Sequence, residues 1–311
     1  MSLQTHDSTP TEAVASQRLG KERAGVAKFA ADFVESPIAV IGLVLCVIIV
    51  LAAVFAPLIT PQNPYDLAKL DIMDSRLEPG EIGLTGTKHW LGTDAQGRDL
   101  FSAIVYGLRI SLGVGVVAGT VALLLGTSVG LTAAYFGGRV DTIIMRLVEF
   151  QLSFPAILIA LIMLAVLGQG IDKIIIALVA VQWAYFARTV RSAALVERRR
   201  EYTDAARCLG LSSRRIMFGH LMPNCLAPLI VVATVQIANA ISLEATLSFL
   251  GLGMPVTQPS LGLLIANGFE YILSGRYWIS TYPGIALLIT VVSINLVGDR
   301  IRDVLNPRLE T

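Results

Sequence analysis

The sequence predicts an all-α membrane protein with six transmembrane helices. Its 311 residues are 54% hydrophobic and only 15% charged, with a mean hydropathy of +0.69, which is too apolar for a soluble domain of this size. Six apolar runs approach or reach the length that a hydrocarbon core of about 30 Å requires. Lysine and arginine are also distributed unequally between the two sides that these six runs define, as membrane insertion demands.

The first span is predicted at residues 37–59, where the apolar run covers residues 38–59. A cleavable signal peptide is the alternative, because Ala52, Ala53 and Ala56 would give it a small-residue end. Against it, 36 mostly polar residues precede the run, and the run is longer than an ordinary signal core. We therefore expect a retained helix after a cytoplasmic tail of residues 1–36, whose first 26 residues are polar enough to be disordered.

Five further runs form the remaining spans. They cover residues 110–136, 147–167, 174–187, 226–249 and 282–297. The run at 174–187 is short and contains Gln182, yet the loop at residues 168–172 would reverse the chain into it. Pro155 removes one helical hydrogen bond and should kink the third span. Five helices within residues 106–298 then follow the N-terminal helix.

The positive charges orient the six spans. Of the 24 Lys and Arg residues, 17 fall in the N-terminal tail, in the turn at residues 139–146, in residues 188–215 and in the C-terminal tail of residues 299–311. By the positive-inside rule these segments face the cytoplasm. Both termini are therefore predicted inside, and residues 60–105 and 251–279 are predicted outside. The long outer segment at 60–105 is rich in Pro, Gly and Asp and is expected to be a loop or small cap.

The sequence contains no arrangement that predicts catalysis or metal binding. Its three cysteines and three histidines are isolated, so neither a disulfide framework nor a metal site is expected. The segment from Asp94 to Asp99 resembles a calcium loop only faintly and lacks the Glu at the twelfth position, so we expect a turn held by Asp side chains. No phosphate-binding glycine loop occurs. Active transport would need ATP and Mg²⁺ bound by another polypeptide, with no cofactor in this chain.

Polar and small residues within the spans indicate internal contacts. Polar side chains are costly in lipid, so they should face protein or a water-filled path. Structural hydrogen bonding is one role for the acids, and a gate or pathway is the other. The gate or pathway candidates are Glu149, Gln236, Asn239 and Glu244. The second span carries Gly115-x-x-x-Gly119 and Gly126-x-x-x-Gly130, a spacing that favours close helix packing inside one bundle over a dimer face.

A charged segment between the fourth and fifth spans, residues 192–224, reads as two short helices around a glycine. Tyr202, Ala205, Ala206 and Leu209 recur at helical spacing and share one small, smooth face. Gly210 suits the left-handed residue that ends a helix, and Ser212 or Ser213 can cap the next. The apolar side of that second helix includes Ile216 and Leu221. Pro223 then leads into the fifth span, so movement of the helix pair should tilt that span.

This segment resembles the Glu-Ala-Ala loop of permease subunits of bacterial binding-protein-dependent ABC importers, specifically the second permease of the dipeptide, oligopeptide and nickel group. Asp204-Ala205-Ala206 with Gly210 carries the resemblance, with Asp in place of the leading Glu. Departures at Ala103, Leu261 and Asn306 leave the substrate subgroup open. Further matching motifs are Leu91-Gly92-Thr93-Asp94, Gly97-Arg98-Asp99, Phe154-Pro155, residues 247–253, Gly298-Asp299, Arg302-Asp303 and Asn306-Pro307.

The resemblance implies a fold, a set of partners and a set of site residues. It implies a five-helix ABC importer permease core plus an N-terminal helix, a heterodimer with a second permease, two cytosolic ATPase subunits and an extracytoplasmic receptor that delivers a peptide-like ligand, all at the bacterial inner membrane. It also implies that the loop docks in a groove of the ATPase. The docking residues are Tyr202, Asp204, Ala205, Ala206, Leu209, Gly210, Ile216, Leu221 and Pro223.

Two other classes compete with a non-catalytic importer permease. A secondary transporter should show two similar halves and coupling acids at the membrane midplane, and the sequence shows neither. A membrane scaffold subunit would also lack catalytic residues, so the sequence separates it from a permease only through the family motifs. A membrane-bound enzyme is disfavoured because no catalytic constellation is present.

Overall fold

The computed structural model describes residues 28–66, 70–84 and 86–305. Within these ranges the regular secondary structure is helical. The same ranges contain no β-strand, only two isolated bridges, Ile82 with Lys88 and Thr93 with Asp99. Five helices are long and apolar enough to cross a membrane, and a bent helix pair makes a sixth span if it is counted as one. This architecture confirms the predicted all-α membrane fold. Most of the N-terminal tail and the Asn306-Pro307 motif lie outside the described residues.

Ten of the helices in the described ranges position the functional regions. The helix Leu226–Phe249 has the predicted bounds, whereas the helix Ile171–Glu197 continues ten residues past the predicted end of its span, into the predicted loop at 192–224. The helices are α1 Pro37–Val54, α2 Leu100–Phe136, α3 Gly138–Leu152, α4 Ala156–Leu167, α5 Ile171–Glu197, α6 Glu201–Cys208, α7 Ser213–Ile216, α8 Leu226–Phe249, α9 Leu261–Phe269 and α10 Trp278–Leu305.

Helix α1 packs along α10. Ser36 accepts a hydrogen bond from the Ala39 amide at 3.4 Å, and Pro37 occupies the first turn, where its missing N–H costs nothing. A Cβ added at Gly42 would come within 2.8 Å of Leu296 Cβ, so the glycine allows the two helices to approach closely. The helix ends at Val54, and a separate turn, Ala56–Ile59, completes the predicted first span.

The second span begins earlier than its hydropathy indicates. Helix α2 starts at Leu100, where the Asp99 carboxylate caps it by accepting a hydrogen bond from the Ser102 amide at 2.8 Å. The segment predicted as an outer loop therefore ends at Asp99 and not at residue 105. Hydropathy does not predict the first three turns of α2, because Ser102, Tyr106 and Arg109 lower the mean hydropathy of residues 100–109. Ser102 and Tyr106 are nevertheless buried.

The glycines of α2 pack within the bundle, as predicted. An added Cβ at Gly126 or Gly130 would come within 2.4 Å of a main-chain oxygen of α5, from Trp183 and Ala187 respectively. One at Gly115 would meet Ile241 of α8 at 2.6 Å. The two small-residue motifs thus hold α2 against two different helices.

The third span is not one kinked helix. Helices α3 and α4 meet at an angle of 89° across residues 153–155. Pro155 stands immediately before α4 and has no N–H to continue a helical ladder. Helix α3 is amphipathic and exposes Ile143, Leu147 and Phe150. Hydropathy predicts one span here because it carries no information about direction.

The described residues between 60 and 99 form a compact cap that precedes α2. As predicted, Asp94 holds a turn, because its Oδ1 accepts hydrogen bonds from the amides of Gln96 at 2.8 Å and Arg98 at 3.0 Å. Burial raises the pKa of Asp94. The buried Arg98 donates from Nη2 to the Val256 carbonyl at 2.8 Å, which joins the cap to the loop before α9. The predicted outer segment at 251–279 therefore contains a packed helix, α9, in addition to loop.

Candidate functional site

The charged segment after α5 forms an elbow of two helical pieces, as the sequence predicts. Helix α6 ends in a Schellman motif, in which the Leu211 amide bonds to the Ala206 carbonyl at 3.2 Å and the Gly210 amide bonds to the Arg207 carbonyl at 2.9 Å. Gly210 has φ +72°, the left-handed conformation this motif requires. Ser212 stands at the N-cap position of α7, but its side chain forms no capping hydrogen bond.

One side of the elbow is buried against the bundle. Thr203 and Ala206 are the buried residues of α6, and the Thr203 hydroxyl donates to the Glu197 carbonyl at 3.0 Å. Ile216 and Leu221 are 1% and 0% exposed and pack with Ala206 in a cluster that includes residues of α2, α5 and α8. Burial of this apolar surface stabilises the elbow as part of the bundle and makes it a firm attachment.

The other side of the elbow is exposed. Tyr202, Ala205 and Leu209 follow at helical spacing, and Leu209 is 79% exposed. Asp204 and Pro223 are also exposed. The nine predicted docking residues therefore divide: Ala206, Ile216 and Leu221 hold the elbow in place, while the remaining six are accessible to a partner. The single apolar face expected from the sequence is split because Ala206 turns inward.

Tyr202 also forms side-chain hydrogen bonds within the elbow that the sequence did not predict. Its hydroxyl donates to Glu197 Oε2 at 2.8 Å and accepts a hydrogen bond from Asn224 Nδ2 at 3.2 Å. Partial burial, followed by the hydrogen bond to Glu197, raises the pKa of Tyr202. Because these partners are five and 22 residues away, no local periodicity marks them.

The elbow continues into α8 almost without interruption. After α7 the chain forms a π-helical turn, Met217–Leu221, and another helical turn, Met222–Asn224. Cys225 is the only residue between that turn and α8. A displacement of the elbow therefore acts directly on α8, since no flexible linker separates them.

A cleft with both polar and apolar lining residues lies beside α8. It has a volume of about 780 Å³ and is bounded by α5, α8 and the last turn of α10. Gln236 and Asn239 both line it, and Asn239 Nδ2 donates to Gln236 Oε1 at 2.9 Å. The Gln182 amide donates to the Gln236 carbonyl at 3.0 Å and ties α5 to α8 beneath the cleft. The other lining residues are Tyr185, Arg188, Thr189, Ala227, Pro228, Val231, Val232, Val235, Arg302 and Leu305.

The two acidic candidates do not line this cleft. Glu244 is fully buried, where Oε2 accepts from the Ser111 hydroxyl at 2.7 Å and Oε1 accepts from the Ser248 hydroxyl at 2.8 Å. It therefore joins α8 to α2. Glu149 lies at the surface of α3, with its side chain 63% exposed and paired with Arg146 at 3.0 Å. The four residues grouped by the sequence thus occupy three different places.

Within the described ranges, no three side chains of His, Cys, Asp or Glu come together as metal ligands. The buried pair His89 and Asp99, 3.0 Å apart, belongs to the cap before α2, where Asp99 also caps that helix. Neither His89 nor Asp99 lines the cleft beside α8.

Two family models match the chain. Residues 122–311 match the "Binding-protein-dependent transport system inner membrane component" family, and residues 27–79 match the "N-terminal TM domain of oligopeptide transport permease C". The first match covers more than half of the chain.

Curated relatives match over almost the full length. The dipeptide transport system permease protein of Escherichia coli K12 is 42% identical over 88% of this chain and 89% of that relative. The dipeptide transport system permease protein of Alkalihalophilus pseudofirmus is 37% identical over 89% and 88%. The di/tripeptide transport system permease protein of Pseudomonas aeruginosa is 36% identical over 91% and 92%.

A solved structure shares the fold. An inward-facing structure of the MetNI methionine ABC transporter aligns with a TM-score of 0.53 at 22% identity, over 66% of this chain and 97% of that chain. At this identity the match establishes the architecture of the helices alone.

Proposed function

We propose peptide import as the function of this chain, which belongs to the family of binding-protein-dependent transport system inner membrane components. It is the transmembrane permease subunit of an ABC importer, and such permeases work with ATPase and binding-protein partners. The substrate class, di- or oligopeptides, rests on relatives at 36–42% identity that are dipeptide or di/tripeptide permeases and on the match to the oligopeptide permease domain. The observation that carries the proposal is this identity over nearly the whole chain.

The elbow is the proposed ATPase-docking element. Its exposed surface combines a short apolar stripe, Ala205 and Leu209, with the Asp204 carboxylate, a pattern suited to a partner groove that has a polar rim. Its buried surface is fixed to the bundle through Ala206 and Leu221. Nucleotide-driven movement of a docked ATPase would then be transmitted through Pro223 and Asn224 to α8, as alternating access requires.

We propose that the cleft beside α8 forms part of the translocation path. Gln236 and Asn239 offer amide donors and acceptors that can exchange hydrogen bonds with a peptide backbone. Of the other two gate candidates, we assign Glu244 a positioning role, since its carboxylate is occupied by two serine hydroxyls. Glu149 stands on α3 outside the cleft, and we assign it to the helix surface.

We further propose the organisation of the complex. Both termini and the elbow face the cytoplasm, a second homologous permease completes a heterodimer, and two ATPase subunits bind ATP and Mg²⁺ beneath it. This chain itself carries out no catalysis and holds no cofactor. The concentration of 17 of 24 Lys and Arg residues on one side supports this orientation.

Uptake in proteoliposomes tests the proposal. The full complex would be purified through a tag on this chain and reconstituted, and uptake of a radiolabelled dipeptide and tripeptide would be compared with that of a nickel chelate. We expect peptide uptake that requires ATP and the receptor. Uptake that persists without ATPase subunits and collapses with the proton gradient would instead establish a secondary transporter. A complex lacking any ATPase would support a scaffold.

A further inference from the structure

An open pocket lies between the ends of α5 and α6, and the proposed function assigns no role to its arginines. It has a volume of about 490 Å³, and we name it the arginine pocket. Three guanidinium groups share it with a single carboxylate, that of Asp204, so the pocket carries excess positive charge. Its lining residues are Leu195, Arg198, Arg199, Asp204 and Arg207.

Most of the hydrogen-bond donors in the arginine pocket are available. Each guanidinium has five N–H donors. Arg198 uses one on the Ala134 carbonyl at 2.8 Å, and Arg207 uses one on Asp204 at 3.2 Å. The Arg199 side chain is exposed, and no hydrogen bond or ion pair to it is found in the described part of the chain. Several planar donors around one space favour a multi-oxygen anion such as a phosphate group.

The arginine pocket lies beside the end of the predicted second span. Arg198 donates to the Ala134 carbonyl, two residues before the apolar run at residues 110–136 ends, which favours a position near the headgroup layer. Arg198 and Arg199 follow the last residue of α5, on the side where basic residues concentrate. Tyr135, near the end of α2, lies 5.6 Å from the Arg207 guanidinium. Tyrosine beside arginine is typical of membrane interfaces.

The pocket shares Asp204 with the proposed docking face, but its arginines lie away from Ala205 and Leu209. Two residues along α6 correspond to about 200° around the helix, so Arg207 lies opposite Ala205. A partner seated on Ala205 and Leu209 would leave the flank with Arg207 open. We propose that the arginine pocket binds the phosphate of an anionic phospholipid in the cytoplasmic leaflet, with the partly buried Leu195 beside its acyl chains. This is a lipid site in addition to the transport function.

Native mass spectrometry of the full chain in neutral detergent tests the proposal, with phosphatidylglycerol and phosphatidylcholine titrated separately. We expect tighter binding of phosphatidylglycerol to the wild type. Arg199→Gln should weaken that binding about fivefold, and the double variant Arg199→Gln/Arg207→Gln further, since each basic residue near an anionic surface contributes on this scale. Arg199→Lys keeps the charge and should retain most of the affinity.

The matched control is Arg214→Gln, which removes an exposed arginine of α7 outside the pocket. Equal weakening by Arg214→Gln would show only a diffuse charge effect and overturn the proposal, as would equal affinities for the two lipids. Displacement of phosphatidylglycerol by millimolar inorganic phosphate at constant ionic strength would identify a soluble-anion site instead. If Arg199→Gln impaired only ATPase co-purification and left lipid binding unchanged, the pocket would belong to the ATPase interface.

Discussion

The side chains of Tyr202 and Asn224 meet across the elbow, with Asn224 Nδ2 donating to the Tyr202 hydroxyl at 3.2 Å. The same hydroxyl donates to Glu197 at the end of α5. One phenol thus joins the end of α5, helix α6 and the turn that leads into α8. Helix α6, which is proposed to dock the ATPase, is thereby fixed to the turn before α8, the span that it is proposed to move.

Removing this hydroxyl should loosen the elbow without disturbing its apolar contacts. We expect Tyr202→Phe to destabilise the chain by about 1 kcal/mol, the usual net contribution of a hydrogen bond. Asn224→Ala should cost a similar amount, and the double variant should cost less than the sum because the two share one contact. Thermal unfolding in detergent measures all three. Tyr277→Phe, an exposed tyrosine on the other side of the protein, is the control, and strict additivity would contradict a shared brace.

A charge placed on the exposed face of α6 should uncouple the ATPase. Ala205→Glu adds volume and a second carboxylate beside Asp204, where a partner is proposed to dock. A loss of about 2 kcal/mol, typical of a central interface residue, is about thirtyfold in affinity. Co-purification of the ATPase and peptide uptake should both fall while membrane insertion is unchanged. Ser192→Glu, on the exposed surface of α5, is the control; normal uptake by Ala205→Glu would remove the docking proposal.

The sequence predicted the elbow but not which of its residues face outward. Periodicity grouped Ala205 and Ala206 on one face, whereas the structure buries only Ala206. Adjacent residues on a helix are about 100° apart, so a small rotation of α6 decides which alanine packs inward. That rotation is set by distant contacts, such as the Thr203 hydroxyl with Glu197 and Tyr202 with Asn224, which leave no local pattern.

Gly210 should be required for its backbone conformation alone. No atom lies within 4 Å of the Cβ position, so space is available, but φ is +72°. A β-branched residue there should cost about 1–2 kcal/mol, whereas asparagine adopts this conformation readily. We therefore expect Gly210→Val to lower thermal stability and uptake, and Gly210→Asn to remain close to wild type. Equal damage from both variants would indicate that the position contacts a partner.

Alkaline pH should destabilise the cap before α2 by ionising Tyr65. Burial raises the pKa of Tyr65 from 10.0 to about 12, and its ring packs edge-on against Tyr106 at 5.1 Å. A raised pKa means that folding favours the neutral phenol. Its contribution is complete below pH 10 and is lost as the pH rises through about 12. The stability of wild type relative to Tyr65→Phe should therefore fall between pH 10 and 12 in thermal unfolding; a constant difference would contradict this.

Hydropathy predicted the number of spans better than their shapes. The bounds of α8 were predicted correctly because the segment is apolar overall, despite Gln236, Asn239 and Glu244, and because Gly251 follows its end closely. The third span failed because residues 147–167 are apolar on both sides of Pro155, while the 89° turn depends on how α3 packs beside α5. Gln151 of α3, which donates to the Val181 carbonyl at 3.1 Å, makes one of those contacts.

Two glycines of α2, one packed and one with open space around it, permit a matched test of close packing. A Cβ at Gly130 would lie 2.4 Å from the Ala187 carbonyl oxygen, so Gly130→Ala must push α2 and α5 apart. Gly113, on the same helix, has no atom within 4 Å of the Cβ position. We expect Gly130→Ala to cost about 1–3 kcal/mol through overpacking and Gly113→Ala to be neutral or mildly stabilising. Thermal unfolding of both variants decides between them. If the two behaved alike, the contact of α2 with α5 would not be limited by the main chain at Gly130.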